Sequence, residues 1–424
     1  MDIFQSILGS IPIPPLCKVR QSFPRPRIEN IREELVAKLR GSGLLDKLGR
    51  GATVAITVGS RGIANQPLIV RSLVEELKTR GAEPFIVPAM GSHGGATAAG
   101  QRDLLIRMGF EEKTIGAPIR SSMEVVDLGT AQMGNPVFMD RYAYEADAVV
   151  VLNRIKPHVS FRGRYESGLM KMIAIGLGKQ IGADACHDAG FGDMTENIYD
   201  IASTILDRCN ILLGIGLLEN PYHETCRIEV LDAGEIAEKE PALQEQAKQL
   251  LPKLYFSSLD VMIVDEIGKE ISGTGMDNNV IGRYTTPYPT GGPRITRIAV
   301  LSLTAETHGN ANGLGIADFT TRRVFDAFRF DQTYPNSLTS TATASVKIPM
   351  VLDSDRLAIQ AAIKTCNVLD KENVRLVRIR NTLQFDEIYV SPALLAEVNG
   401  SDNMSLVGEA QPMCFDEKGN ILPS

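Results

Sequence analysis

Three short segments each set one strong polar side chain beside glycine or proline at the end of an apolar run. They read Gly59-Ser60-Arg61-Gly62, Gly91-Ser92-His93-Gly94-Gly95 and Arg154-Ile155-Lys156-Pro157-His158. An arginine fork can grip a carboxylate through two parallel hydrogen bonds. Two imidazoles, which titrate near neutral pH, can serve as acid and base by turns on opposite sides of one carbon. Together these groups suit the interconversion of mirror-image hydroxy acids. Taken singly, each has a plainer reading. A loop histidine is usually solvated or capping, a lone arginine is usually a surface charge, and Gly-Ser-His-Gly-Gly is usually only a turn. Recurrence at three successive exits, in a chain with five histidines, is what argues for a site.

The segment after His158 adds Gly163, Gly168, Lys171, Gly176, Gly178 and His187. Lys171 stands inside the apolar run Leu-Met-Lys-Met-Ile-Ala-Ile-Gly-Leu-Gly. It either snorkels from a helix face or is held as a desolvated amine for chemistry. His187 follows Cys186, but one Cys-His pair without a second ligand group is weak evidence for a metal.

The elements that must position these residues alternate. Residues 53–62 and 84–95 read as short apolar strands with glycine-rich exits. Helical periodicity follows each, over 66–81 and 97–110, with Thr97 as an N-cap. Residues 146–158 form a third strand whose near-continuous apolar core suits burial on both faces. Such alternation predicts a parallel sheet with crossover helices, whose ligands bind at the carboxyl edge. A strand over 210–220, a helix over 239–254 and strands over 259–270 and 294–303 follow. The expected fold class is α/β with two domains. Residues 1–255 make an N-terminal Rossmann-like parallel sheet with helices on both faces. Residues 256–424 make a smaller α/β domain closing over the substrate crevice.

Composition bounds the partners. The 424 residues are 44% hydrophobic and 22% charged with a net charge of −7, which is ordinary for a globular protein. No Lys/Arg run appears, which argues against nucleic acid and anionic membranes. No uninterrupted apolar window is long enough to span a bilayer. The first thirty residues lack the pattern of a signal peptide. Six scattered cysteines without a CxxC pair read as reduced thiols of a cytoplasmic protein.

The pattern resembles the nickel-dependent lactate racemase family, whose members carry a nickel-pincer nucleotide. That family's Thr-Arg exit, Gly-Thr-His, Pro-His, lysine and later histidine are matched in order by Ser60-Arg61, Gly91-Ser92-His93, Pro157-His158, Lys171 and His187. The likeness covers residues 50–190. It implies that Arg61, with Ser60, binds the substrate carboxylate and that His93 and His158 are the acid/base pair. Lys171 would carry the covalent thioamide link, with Ser92 and Gly168 also against the cofactor. His187 would be the protein ligand to nickel. The other donors would be two sulfurs and a carbon of the pincer, a pyridinium thioamide/thiocarboxylate mononucleotide. The implied mechanism is a hydride shuttle through a 2-keto acid. Proteins that build the cofactor would be partners, and the sequence leaves open whether the chain forms a homodimer.

Departures from the family pattern matter as well. Val58 stands where the family has an acid, and the link from His158 to Lys171 is longer. No clear match exists for the later Gln and Lys that hold substrate, so Lys269, Asn279 and Arg283 are the candidates. There is no tryptophan to form an aromatic lid. Arg283, Arg294 and Arg297 could add a second contact to a polar substrate tail. The expected activity is therefore an isomerase: a racemase or epimerase of a 2-hydroxy acid longer than lactate. The alternative is a binding protein or enzyme for an anionic or phosphorylated metabolite on the same fold, with the glycine turns as anion sites and no nickel chemistry. A dehydrogenase is disfavoured, because no G-x-G-x-x-G follows the first strand.

Overall fold

A computed structural model describes residues 3–188 and 190–422. The strands among them, in chain order, are β1 (Leu16–Gln21), β2 (Thr53–Val58), β3 (Glu83–Pro88), β4 (Val125–Thr130), β5 (Pro136–Asp140), β6 (Ala148–Arg154), β7 (Ile211–Glu219), β8 (Thr225–Asp232), β9 (Ser258–Ile267), β10 (Arg294–Leu303), β11 (Phe319–Thr321), β12 (Met350–Leu352), β13 (Leu376–Ile379), β14 (Glu387–Val390) and β15 (Met404–Gln411). No helix among the described residues is long and apolar enough to cross a membrane. The chain divides into two compact units.

One unit spans Arg25–Leu251 with Thr339–Thr341. Its five-stranded sheet has the order β3-β2-β6-β7-β8. β3, β2, β6 and β7 run parallel, and β8 returns antiparallel to β7. The apolar run of β6 is buried from Ala148 to Leu152, as a strand covered on both faces requires. Helix Gln66–Thr79 connects β2 to β3 and buries Ile69, Leu73 and Leu77, one turn apart, in the same cluster as Val54, Ile56, Ile86, Val150 and Leu152. Thr97 caps helix Ala98–Arg107 by accepting from the Gly100 amide, as expected. Helix Ile236–Gln249 contains Pro241, which has no N–H to offer the carbonyl one turn back. That carbonyl, of Ala237, accepts from the Tyr165 hydroxyl at 2.6 Å instead.

The other unit comprises Met1–Pro24, Pro252–Leu338 and Ala342–Ser424. Its eight-stranded sheet has the order β12-β11-β10-β9-β13-β14-β1-β15. The first five strands are parallel, and β14, β1 and β15 add antiparallel neighbours. The expectation that residues 1–255 make one domain is corrected at its start. β1 is wedged between β14 and β15, with Val19 opposite Ile388 and Leu406. Pairing with strands so distant in sequence leaves no local mark, whereas the expected boundary near 255 falls close to the observed one at Leu251 and Pro252.

Val19 is fully buried, so Val19→Ala should cost about 2 kcal/mol through lost contacts and a residual cavity. Hydrogen exchange should then speed up in β14 and β15 and stay unchanged in β2, β3 and β6. Loss of protection in the second set would contradict the assignment of β1.

Candidate active site

Because β3, β2 and β6 are adjacent and parallel, their chain exits share one edge of the sheet. The first brings Arg61 beside His93: Arg61 Nη2 lies 3.3 Å from His93 Nε2. His93 Nδ1 lies 2.8 Å from the Met90 carbonyl. A ring nitrogen facing a carbonyl must carry its proton, so Nε2 is the basic nitrogen and accepts from Arg61. Burial and then the charge of Arg154 push the Arg61 guanidinium down to about 10. No carboxylate among the described residues pairs with Arg61, whereas Arg154 itself pairs with Glu219.

The third exit holds His158 at three points. Its backbone N–H donates to Glu166 Oε2 at 2.8 Å, and its carbonyl accepts from Arg162 Nη1 at 2.6 Å. Its Nδ1 accepts from the Ser160 amide at 3.1 Å. The neutral ring therefore carries its proton on Nε2, the tautomer opposite to that of His93. Burial, then the charges of Lys171, His187, Lys156 and Arg162, hold the His158 imidazole well below its usual range, so the ring is neutral. The ring also lies against Phe161, with centroids 4.4 Å apart. Glu166, fully buried, is held in turn by Gln244 Nε2 and Lys248 Nζ, each at 3.1 Å.

Lys171 ends a short helical turn, Leu169–Lys171, that runs into a π-helical turn, Met172–Gly176. The wider turn brings Gly176 against the exit of β3: a Cβ there would stand 2.8 Å from the Ala89 carbonyl oxygen. Such turns occur often at functional sites. Burial first, with Arg61 and Lys156 in the same direction, pushes the Lys171 amine down to about 8. Its Nζ lies 5.8 Å from the centre of the Phe161 ring. Of the two readings of Lys171, the burial favours the desolvated amine.

His187 closes helix Lys179–His187. Its Nδ1–H donates to the Ala183 carbonyl at 2.6 Å, which leaves Nε2 as the nitrogen with a lone pair. Burial pushes this imidazole down to about 4. The Phe191 ring touches both histidines, 5.7 Å from His187 and 6.3 Å from His158 between centroids. Cys186, by contrast, is a buried thiol pushed up to about 12, with its sulfur 3.8 Å from that of Met194.

Arg61, His93, His158, Lys171 and His187 are thus brought together, with Ser60 and Ser92 half-buried in the same exits. Gly168 has a packing reason. A Cβ there would meet Glu240 Oε1 at 2.3 Å, and Glu240 is a buried carboxyl, pushed up to about 7, that accepts from the Met170 amide. Lys269 lies in the other unit, where its Nζ donates to the Gly273 carbonyl at 2.8 Å. Arg283 also lies there. Its Nη1 donates to Asp318 at 2.6 Å and Ile316 O at 3.0 Å, and its Nη2 to Ile295 O at 3.0 Å and Thr296 O at 2.7 Å. Both terminal nitrogens are spent within that unit, so the expected substrate contact of Arg283 is replaced by a structural tie. The sequence reading missed Phe161, Arg162, Glu166 and Phe191. The dipeptide Phe161-Arg162, directly after the Pro-His exit, was the available signal.

No group of three or more His, Cys, Asp or Glu side chains that could hold a metal occurs among the described residues. The chain's own donor set is a single imidazole with a fixed tautomer beside a desolvated amine. Those two groups fit a nucleotide that is tethered through the amine and brings the remaining metal ligands itself.

The span that carries all five residues can be set against known families. Residues 21–197 match the family model of the lactate racemase N-terminal domain. Over that span the chain is similar to that domain, in line with the likeness read from the motifs. A solved structure of a protein from Thermotoga maritima is similar over 77% of this chain and 83% of that one, at 15% identity and a TM-score of 0.49. The lactate racemase apoprotein of Thermoanaerobacterium thermosaccharolyticum is similar over 87% and 99%, at 14% identity and a TM-score of 0.49. No curated protein matches.

The lowered Lys171 amine gives a direct test. Only the neutral amine reacts, so labelling of Lys171 by a small amine reagent should reach half its maximal rate near pH 8. Surface lysines should need a pH near their usual ~10.4. Peptide mass mapping across a pH series separates them, and a Lys171 midpoint above pH 10 would contradict the desolvated site.

Proposed function

We propose that the protein is a racemase or epimerase of a 2-hydroxy acid that works with a nickel-pincer nucleotide. The observation that carries this reading is the pair of opposite histidine tautomers beside a half-buried arginine that pairs with no carboxylate among the described residues. Arg61 is a desolvated cation with donors to spare, and a substrate carboxylate supplies the missing charge. His93, with Nε2 unprotonated, takes the substrate hydroxyl proton. His158, with Nε2 protonated, gives one to the 2-keto acid oxygen when the opposite enantiomer is made. The reverse reaction exchanges the roles, so each imidazole is base for one hand and acid for the other. Lys171 would bear the cofactor through its amine, and His187 Nε2 would bind the nickel. When bound, the cofactor supplies the acceptor and donor of the C2 hydride. Phe161 and Phe191 line the space between His158, Lys171 and His187, and they exclude water that would compete for the proton.

The test is protein made together with the cofactor-synthesis genes, followed by metal content, intact mass and chiral analysis of a 2-hydroxy acid panel. Nickel should be lost in His187→Ala and kept in Cys186→Ser, and the added mass should vanish in Lys171→Ala. His93→Asn and His158→Asn should each lower interconversion by roughly 10²–10⁴. Sugar acids or hydroxy diacids should turn over faster than lactate. Protein that binds such acids without nickel and without interconverting them would favour the anion-binding alternative.

A further inference from the structure

The exit of β3 is braced from behind by a buried charge. Lys179, the first residue of helix Lys179–His187, has a backbone φ of +54° that lysine rarely adopts. Its side chain is fully buried, as is that of Asp140, whose Oδ2 lies 2.8 Å from Lys179 Nζ. An ammonium has three protons to place. Beyond Asp140, this one donates to the Pro88 carbonyl, at the last residue of β3, and to Gln101 Oε1 at 3.3 Å. Gln101 is itself fully buried. Its Nε2 donates to the carbonyls of Gly91, at 2.9 Å, and His93, at 3.1 Å.

The arrangement has a direction. An amide can turn over, exchanging its oxygen and nitrogen at little cost in shape. The ammonium of Lys179 accepts only the oxygen as neighbour, so the NH₂ group is compelled to face the loop. Turned the other way, the amide oxygen would confront two carbonyl oxygens. A buried ion pair is a poor way to gain stability, since apolar residues of like volume often do as well or better. A strained lysine adds to that cost. Its return is a defined direction for the loop that carries His93.

We propose that Lys179, with Asp140 and Gln101, is a positioning device that holds the Gly91–His93 loop and thereby keeps His93 Nδ1 on the Met90 carbonyl and Nε2 toward Arg61. The proposal rests on the acid/base reading of His93 for its effect on turnover, but not for its effect on the ring itself.

Two variants separate the device from general stability. Gln101→Leu cuts the relay and leaves the ion pair in place. Lys179→Met combined with Asp140→Asn removes both charges and keeps the oxygen that accepts from the Ala143 amide. Imidazole ¹⁵N spectra of the whole protein should show His93 as the Nδ1–H tautomer in the wild type. Both variants should show a tautomer mixture at His93, with the His187 pattern unchanged. Loaded enzyme should lose about 10²-fold in kcat, the scale expected when a reacting group shifts by about 1 Å, with KM changed less than about threefold because Arg61 is untouched. Should the double variant not fold, Gln101→Leu decides alone. An unchanged His93 spectrum in a folded variant overturns the proposal. If the wild type interconverts no hydroxy acid, the acid/base reading fails while the spectra still decide the positioning device.

Discussion

Parallel pairing of β2 with both β3 and β6 is the constraint from which the candidate site follows. Parallel neighbours release their chains at the same edge, so three exits far apart in sequence meet in space. The apolar runs of the three strands are what secure that pairing, because a strand buried on both faces cannot trade places with a solvated one. The convergence of these groups at the edge is thus a consequence of burial in the sheet.

Burial also sets the electrostatics. Arg61, Lys171 and the two ring systems of His158 and His187 are all shifted toward their uncharged forms, with desolvation as the leading cause each time. Such a concentration of shifted groups is typical of functional sites, although structural networks produce it too. Here the two kinds separate cleanly. Glu166 and Asp140, buried carboxylates of the same region, each have a cation within 3.1 Å and anchor backbone. Arg61 has no such partner among the described residues. The supporting charges are thus satisfied internally, whereas Arg61 pairs with no carboxylate among the described residues, which is why an anionic substrate is proposed for it.

The part legible in the sequence was the part written locally. Glycine or proline beside a polar residue at the end of an apolar run marks an exit without knowledge of any distant residue, and the exits that carry Arg61, His93 and His158 are legible that way. Thr97 was legible for the same reason, since a cap acts on amides three residues away. Lys179 was not, because its partners Asp140, Pro88 and Gln101 lie 39 or more positions off and its glycine-like backbone leaves no mark on a lysine codon. β1 was missed because its hydrogen bonds run to residues near 390 and 406. Arg283 looked like a substrate contact only because its four acceptors, three of them carbonyls, have no signature in sequence.

The central claim is that one small acid engages Arg61, His93 and His158 at once. Protein loaded with the proposed nickel-pincer nucleotide and labelled with ¹⁵N-histidine can be titrated with malate while the ring signals are followed. The account predicts that His93 and His158 shift together along a single binding curve, and that Arg61→Lys weakens that curve at least tenfold for both. Movement of one ring alone, or an affinity indifferent to Arg61, would contradict it.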